Sequence, residues 1–242
     1  MTDIRKMIEK DSYFIRLLSE GEMNENRDHS TGKRRTAKIM VENNKDRVYA
    51  VQPVVSSNKP SFIAATSMRE RYVPQIDRYI VNTLCSLSEH VKLERANLKP
   101  STICEAIADG IRAFNKDAIP STNRTLIIGA KAYRALRDAV GLTKATECDD
   151  MGKGYIGTYY GIPIVKASTL VLPKQVNFIL IHKDCASVGV CFENLLYQYD
   201  AFEDCHKYKF DLLYDCYKGE GQNNGIFVNF DAQEVFKEGS EQ

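Results

Sequence analysis

Gly152-Lys153-Gly154-Tyr155-Ile156-Gly157-Thr158-Tyr159-Tyr160-Gly161-Ile162-Pro163-Ile164 is the stretch on which the choice of fold turns. Its first six residues match G-x-G-x-x-G, which in dinucleotide-binding proteins joins a strand to a helix and sets the pyrophosphate against the helix N-terminus. Here the string follows Cys148-Asp149-Asp150 and runs into a strand-like segment with Pro163 inside it. The helix that the fingerprint needs is missing. The glycines read as a tight turn feeding a strand, and the chain does not read as doubly wound βαβ.

Working outward, Ile162-Pro163-Ile164-Val165-Lys166 and Asn177-Phe178-Ile179-Leu180-Ile181-His182 read as buried strands, the second bounded by Pro173 and Asp184. Beyond Val190 the chain is long-stranded. Tyr208, Phe210 and Leu212 alternate with Lys207, Lys209 and Asp211, the pattern of a half-buried strand. Gly219-Glu220-Gly221-Gln222-Asn223-Asn224-Gly225 supplies a turn, and Ile226, Val228 and Phe230 alternate beyond it. This predicts a C-terminal hairpin with a polar tail from Asp231. Upstream lie a strand, Thr125-Leu126-Ile127-Ile128, and a helix over about 131–140 ended by Gly141. Ile103, Ile107, Ile111 and Phe114 form one helix face, with Ser101 as the expected cap after Pro100. Ile76, Ile80, Leu84 and Leu87 form another, within a helical stretch of about 61–91 that Pro74 starts or kinks.

Two β-type runs, Ala37-Lys38-Ile39-Met40-Val41 and Arg47-Val48-Tyr49-Ala50-Val51, flank turn chemistry at Glu42-Asn43-Asn44-Lys45-Asp46. They predict a hairpin, which is marginal in water unless it lies on something else. The first thirty residues are polar; Ile4, Met7 and Ile8, then Phe14, Ile15, Leu17 and Leu18, allow a short amphipathic helix. The following 21–28 reads as exposed and mobile.

Composition narrows the function classes. The 242 residues carry 33 Lys+Arg against 32 Asp+Glu and are 43% hydrophobic. That is enough for one large domain or two small ones with a real core. A net charge of +1 argues against coating nucleic acid by bulk positive charge. No run approaches the ~20 apolar residues of a membrane span, and the opening Met1-Thr2-Asp3-Ile4-Arg5-Lys6 is no secretion signal. Seven Cys (85, 104, 148, 185, 191, 205 and 216) form no Cys-x-x-Cys pair and read as reduced, buried thiols of an intracellular protein.

Candidate chemistry is thin. His182, Cys185, Cys191, Cys205 and His206 are the only grouping with any metal-ligand character, and only His182-x-x-Cys185 has suitable spacing. Core thiols with a capping or surface His is the preferred reading. None of the four His (29, 90, 182, 206) has a triad context, and Asp149-Asp150 and Glu203-Asp204 read as solvated charge. The single basic cluster, Lys33-Arg34-Arg35 with Lys38, reads as solvated or intersubunit, with phosphate contact as the alternative. No catalytic, cofactor or metal residue is assigned. What remains is architectural: a projecting N-terminal segment and hairpins without a local core, stable only if another copy covers them.

The order of elements resembles the major capsid protein of tailed bacteriophages, whose α+β fold is shared with herpesvirus shells and with encapsulin compartments. In that family an arm and a long hairpin, the E-loop, precede a spine helix opening near V-P-x-I-D-x-Y. Val73-Pro74-Gln75-Ile76-Asp77-Arg78-Tyr79 is similar. Ile119-Pro120, Leu126-Ile127-Ile128 and Tyr133-Arg134-Ala135-Leu136 fit the strand and helix that follow, and 154–164 resembles the family's G-x-I-G-x-x-x-G-[IV]-P-[IV] string. Leu172-Pro173, Phe178-Ile179-Leu180-Ile181-His182 with Asp184-Cys185-Ala186, and Asp211-Leu212-Leu213-Tyr214-Asp215 to Gly225-Ile226-Phe227-Val228 continue it to about residue 230.

The resemblance implies an arm at 1–32, an E-loop hairpin at 33–60, a peripheral domain with the spine helix at 61–95, an axial domain at 96–189, and peripheral strands at 190–242. It implies a structural, non-enzymatic subunit forming pentamers and hexamers of an icosahedral shell around double-stranded DNA. A separate scaffolding protein, a portal and weak non-specific contact with packaged DNA are the implied partners, with no membrane. The implied location is the virion, assembled in a bacterial cytoplasm. Two other readings stay open: an encapsulin-like nanocompartment shell, and a small cytoplasmic nucleotide-binding α/β enzyme using 152–157.

Overall fold

The structure, a computed structural model, describes residues 10–20, 35–41, 72–94, 98–140, 153–200, 205–219 and 221–232. Along the chain these form a 3-10 turn at Ile15–Leu17, strands β1 (Ser19–Glu20) and β2 (Arg35–Val41), helix α1 (Val73–Leu87) and strand β3 (His90–Glu94). Helix α2 (Pro100–Lys116), strand β4 (Arg124–Ile128) and helix α3 (Ala130–Val140) follow. Strands β5 (Tyr155–Tyr159), β6 (Ile162–Lys166), β7 (Val176–His182), β8 (Ser187–Asp200), β9 (Cys205–Tyr217) and β10 (Ile226–Asp231) complete it.

Two sheets organise these strands. One has six strands in the order β3-β10-β7-β4-β6-β5, and the other has four in the order β1-β8-β9-β2. In the first, β4 and β6 run parallel, as do β3 and β10, while the remaining pairs are antiparallel. Every residue of β4 and β7 is buried, so both faces of this sheet must be covered. Alternation assigns the faces. Ile127, Ile179, Ile181, Ile226 and Val228 pack with Val73, Ile76, Ile80 and Leu84 of α1. Leu126, Ile128, Phe178, Leu180 and Phe227 pack with α2 and α3 through Ile103, Ile107, Phe114 and Leu136. The result is an α+β arrangement with a mixed sheet between helical layers.

The helices begin and end for local reasons. Pro74 lies in the first turn of α1, where a missing N–H costs nothing. The helical stretch expected to reach residue 91 stops at Leu87. Ser88 is extended, and its hydroxyl lies 2.9 Å from the His90 carbonyl oxygen and 3.0 Å from that of Ile226, turning the chain into β3 alongside β10. In α2 the cap is Lys99, not the expected Ser101. Pro100 takes the first helical position, and Lys99 donates its N–H to Thr102 Oγ1 at 3.0 Å. Arg124 sits buried behind the C-terminus of α2, donating to the Pro120 carbonyl (2.7 Å), the Ile119 carbonyl (2.5 Å) and Asn115 Oδ1 (2.9 Å). Both carbonyls belong to the loop past the helix, so the guanidinium pins the connection from α2 into β4.

The expected C-terminal hairpin is corrected. β9 pairs not with β10 but with β8 over nearly its whole length, and with β2 on its other edge. β10 crosses to the six-stranded sheet and lies between β3 and β7. The 219–225 turn drives this diversion. Asn223 N–H donates to the Asp184 carbonyl, and the Gly225 carbonyl accepts from His182 N–H at 2.8 Å, both at the end of β7. Consequently β10 is buried on both faces instead of alternating. Its polar Asn229 is satisfied by Asn177 Nδ2 at 2.9 Å and by donating to Glu94 at 3.2 Å.

The opening glycine stretch resolves as a turn into a strand. Gly154 has φ +82°, and a Cβ placed there would lie 2.6 Å from the Tyr13 ring and 2.7 Å from the Lys166 carbonyl oxygen. Glycine is needed for close approach of the chain's own N-terminal segment, where the fingerprint reading would have put a phosphate. Replacing Gly154 by Ala is expected to destabilise the protein by about 1–3 kcal/mol, from left-handed backbone strain and the displaced Tyr13. Urea unfolding of the variant, with limited proteolysis at the N-terminal segment, checks this. Parent-like stability in both assays contradicts it.

Candidate functional site

Three consecutive residues of α1 point in three directions, because successive helical side chains are rotated by about 100°. Asp77, Arg78 and Tyr79 each bind a different segment of the chain. Asp77 is fully buried and holds the N-terminal segment. Its Oδ1 accepts from the Ser12 hydroxyl at 2.5 Å, and its Oδ2 accepts from Tyr13 N–H at 3.1 Å. The Ser12 oxygen in turn accepts from the Phe14 and Ile15 amides, both at 3.1 Å. This knot turns the chain so that Phe14 and Leu18 enter the core against α1. Burial pushes the Asp77 carboxyl up to about 6, with the Ser12 and Tyr13 hydrogen bonds and the Lys153 ammonium opposing. The Lys153 ammonium also lies 4.7 Å from the centre of the Tyr13 ring.

Arg78 donates from Nε (3.1 Å) and Nη2 (2.6 Å) to the Leu170 carbonyl, fixing the loop between β6 and β7. Tyr79 donates its hydroxyl to Asp215 Oδ1 at 2.9 Å, and that buried carboxylate also accepts from Cys216 N–H at 2.7 Å. The Tyr79 ring meets Tyr214 edge-on at 5.3 Å. Burial and the neighbouring Asp215 raise the Tyr79 phenol to about 12, so it stays a donor. The helix thus gathers the N-terminal segment, the 168–172 loop and β9. Nothing in this set is arranged as nucleophile, base and oxyanion donor. All three side chains are engaged in holding other segments of the chain.

β9 belongs to the second feature, a ribbon of 14 and 13 residues formed by β8 and β9. β1 pairs in parallel with the start of β8, Ser19 opposite Ser187, and Ser19 N–H donates to the Ala186 carbonyl at 3.3 Å. β2 pairs along β9 from Arg35 opposite Tyr214 to Val41 opposite Tyr208. Both ends of the 21–34 segment are therefore anchored on this ribbon. Of the basic cluster, Arg35 and Lys38 lie on β2, with Lys38 in register with Asp211; Lys33 and Arg34 lie outside the described residues. So do the second run of the expected 36–55 hairpin and the amphipathic start at residues 4–8.

Of the five residues in the sequence's metal grouping, the structure describes the side chains of two, His182 and Cys185. Among the described residues no group of three or more His, Cys, Asp and Glu is placed to hold a metal ion. The side chains of Cys191, Cys205 and His206 lie outside the described set. Cys185 and Cys216 are core thiols, and burial pushes Cys185 up to about 12. His182 is a capping residue. Its Nδ1 accepts from Asp184 N–H (3.2 Å) and faces Asn223 Nδ2 at 2.9 Å, while its buried Nε2 has no partner. Two donors on Nδ1 define the Nε2–H tautomer. Among the described helices none is long and apolar enough to cross a membrane.

With this geometry in hand, the chain can be placed among known folds. It superposes on a solved structure from Mycobacterium phage Che8 with a TM-score of 0.58 at 17% identity, over 81% of this chain and 70% of that one. The capsid structure of the Cyanophage P-SCSP1u is similar at a TM-score of 0.53 and 7% identity, over 83% and 72%. The capsid of Ralstonia phage GP4 is similar at 0.53 and 8%, over 89% and 80%. No family model matches the sequence, and no curated protein matches it. The chain has the α+β fold of phage major capsid subunits. A helix, α1, opens at Val73, where the Val73-Pro74-Gln75-Ile76-Asp77-Arg78-Tyr79 string led one to be expected.

Two buried groups give opposite pH dependences. Burial raises the Asp77 carboxyl from an ordinary 3.8 to about 6, so its cost to stability is nil below about pH 4 and complete above about pH 6. The difference corresponds to about 3 kcal/mol. Asp77→Asn is expected to abolish that decline in urea-unfolding midpoints across pH 4–7; an unchanged slope contradicts the assignment. His182 is lowered from 6.5 by burial, with Asp184 opposing and Arg124 reinforcing. Its contribution is complete above pH 6.5 and lost as pH falls below it, since a proton on Nδ1 faces two donors. In the Asp77→Asn background, adding His182→Gln is expected to remove the remaining acid-side loss, read by the same titration.

Proposed function

We propose that this protein is a major capsid subunit that self-assembles into an icosahedral shell enclosing double-stranded DNA. The observation that carries it is the capsid fold combined with the α1 hub, which ties an N-terminal segment and a long β ribbon to one rigid helix. A ribbon of 14- and 13-residue strands with a further strand along its edge is more than a small core needs. It suits a lever that reaches a neighbour. The role is structural, and the place of the protein is the virion, assembled in a host bacterial cytoplasm.

In this reading residues 1–32 are the arm, 33–60 the E-loop, 61–95 and 190–242 the peripheral parts, and 96–189 the axial part. β10 is the strand by which the peripheral and axial parts share one sheet. The same chain takes five- and six-membered rings by small changes in arm and loop angle, with a scaffolding protein and a portal as further partners. A charge balance of 33 against 32 suits a container that holds DNA by weak contact.

Electron microscopy of the purified protein is expected to show closed shells, and particles from infected cells to carry nucleic acid. Particles filled with a cargo protein would instead indicate an enzyme-carrying compartment. Deleting 42–55 while keeping β2 is expected to leave the thermal unfolding of the subunit intact and to abolish shells. Normal shells from that deletion overturn the bridging role of the 33–60 segment.

A further inference from the structure

Tyr160 stands at the tip of the β5–β6 hairpin, 81% exposed, with φ +50°. Gly161 follows at φ +75°, so the two form the left-handed pair of a tight hairpin turn. Asn, Asp or Gly fill the first position readily, whereas a bulky aromatic residue is strained there. The ring rests edge-on against Tyr159, centroids 4.6 Å apart, which holds it at the tip. Strain and exposure together give the isolated subunit nothing. They make sense in a contact, where a rigid aromatic residue is a preferred anchor.

At the other end of β6 lies a hollow of about 340 Å³. It forms where β4 and β6 finish, α3 begins and β7 starts. Gly129, Ala130, Ala132, Leu172, Pro173 and Val176 line it, and Lys131 and Lys174 stand around it. Backbone bonds keep this frame rigid: Gly129 N–H donates to the Asn177 carbonyl at 2.9 Å, and the Gly129 carbonyl accepts from Tyr133 N–H at 2.8 Å. Apolar walls with lysine side chains among them match a phenol ring, whose faces attract cations. Among the described residues this pairing occurs twice, Lys153 on Tyr13 at 4.7 Å and Lys166 on Tyr133 at 5.0 Å.

We propose that Tyr160 of one copy seats in this hollow on a second copy, between Lys131 and Lys174. The inference rests on the shell reading and gives it a specific contact. Knob and hollow are different surfaces of one chain, so every copy both gives and receives. Such a heterologous contact propagates into rings or open chains and does not stop at a pair.

Tyr160→Asn places a residue the turn prefers. Its melting temperature is expected to equal or exceed that of the parent, while shell yield falls about tenfold or more. Tyr160→Phe keeps the ring and is expected to assemble. Independently, Thr158→Cys, exposed on β5 beside the hairpin tip, combined with Thr169→Cys, at the hollow, keeps the Tyr160 ring and is expected to give a ladder of disulfide-linked oligomers with copper phenanthroline as oxidant. The parent, with its native thiols, and each single variant are expected to give none. Parent-level shells from Tyr160→Asn, or no ladder from the double variant, overturn the contact and leave the shell reading standing. If the parent itself forms no shells, the shell reading fails, and the ladder alone then decides whether the contact exists.

Discussion

A strand in which every side chain is buried can exist only between two covering layers, and β4 and β7 are both such strands. The rest of the architecture answers that demand. α2 and α3 cover one face. The other is left to α1, which must bury Val73, Ile76, Ile80, Val81 and Leu84 against the sheet and the N-terminal segment. Once α1 is clamped in this way, its remaining directions become fixed points to which other segments can be tied. That is why Asp77, Arg78 and Tyr79 can serve three separate parts of the chain from one turn of helix.

Burying Asp77 is unfavourable in itself, since removing a carboxylate from water costs several kcal/mol before its partners respond. Three consequences offset it. Two donors satisfy the carboxylate, the Ser12 hydroxyl gathers two further amides, and Phe14 is carried into the core. Phe14 and Leu18 are buried in the core, with Tyr13, Ile15 and Leu17 packed against it, so apolar area and the polar knot together fix the N-terminal segment. Gly154 leaves the space that Tyr13 needs.

Much of this was legible from residue pattern. The strands read at 162–166 and 177–182, the helix face of Ile103, Ile107 and Phe114, and the rejection of a nucleotide helix after Gly157 all match the structure, because each rests on local periodicity. What failed was non-local. The helix expected over about 61–91 ends at Leu87, and β3 follows as an unforeseen strand because Ser88 meets Ile226 across the fold. The alternation of Ile226, Val228 and Phe230 suggests a half-exposed hairpin strand, but the sheet that accepts β10 buries Phe227 as well. Of the hub, only the V-P-x-I-D-x-Y string was visible. The partner of Asp77 lies 65 residues away and that of Tyr79 lies 136 away, and no spacing rule links them. Buried Arg124 was equally silent, its role depending on where α2 happens to end.

The place of β10 has a consequence for how the subunit is made. Among the described strands β3 pairs with β10 alone, and the Ser88–Ile226 bond that turns the chain into β3 spans 138 residues. During synthesis β3 must therefore wait, with Val91 and Leu93 outward and no neighbouring strand, until β10 has left the ribosome. Long-range closure of this kind is slow compared with helix formation. A nascent chain can build α2, β4 and α3 early yet remain without its finished edge. The six-stranded sheet is thus closed last, by the strand latest in the described chain, whatever has folded before it.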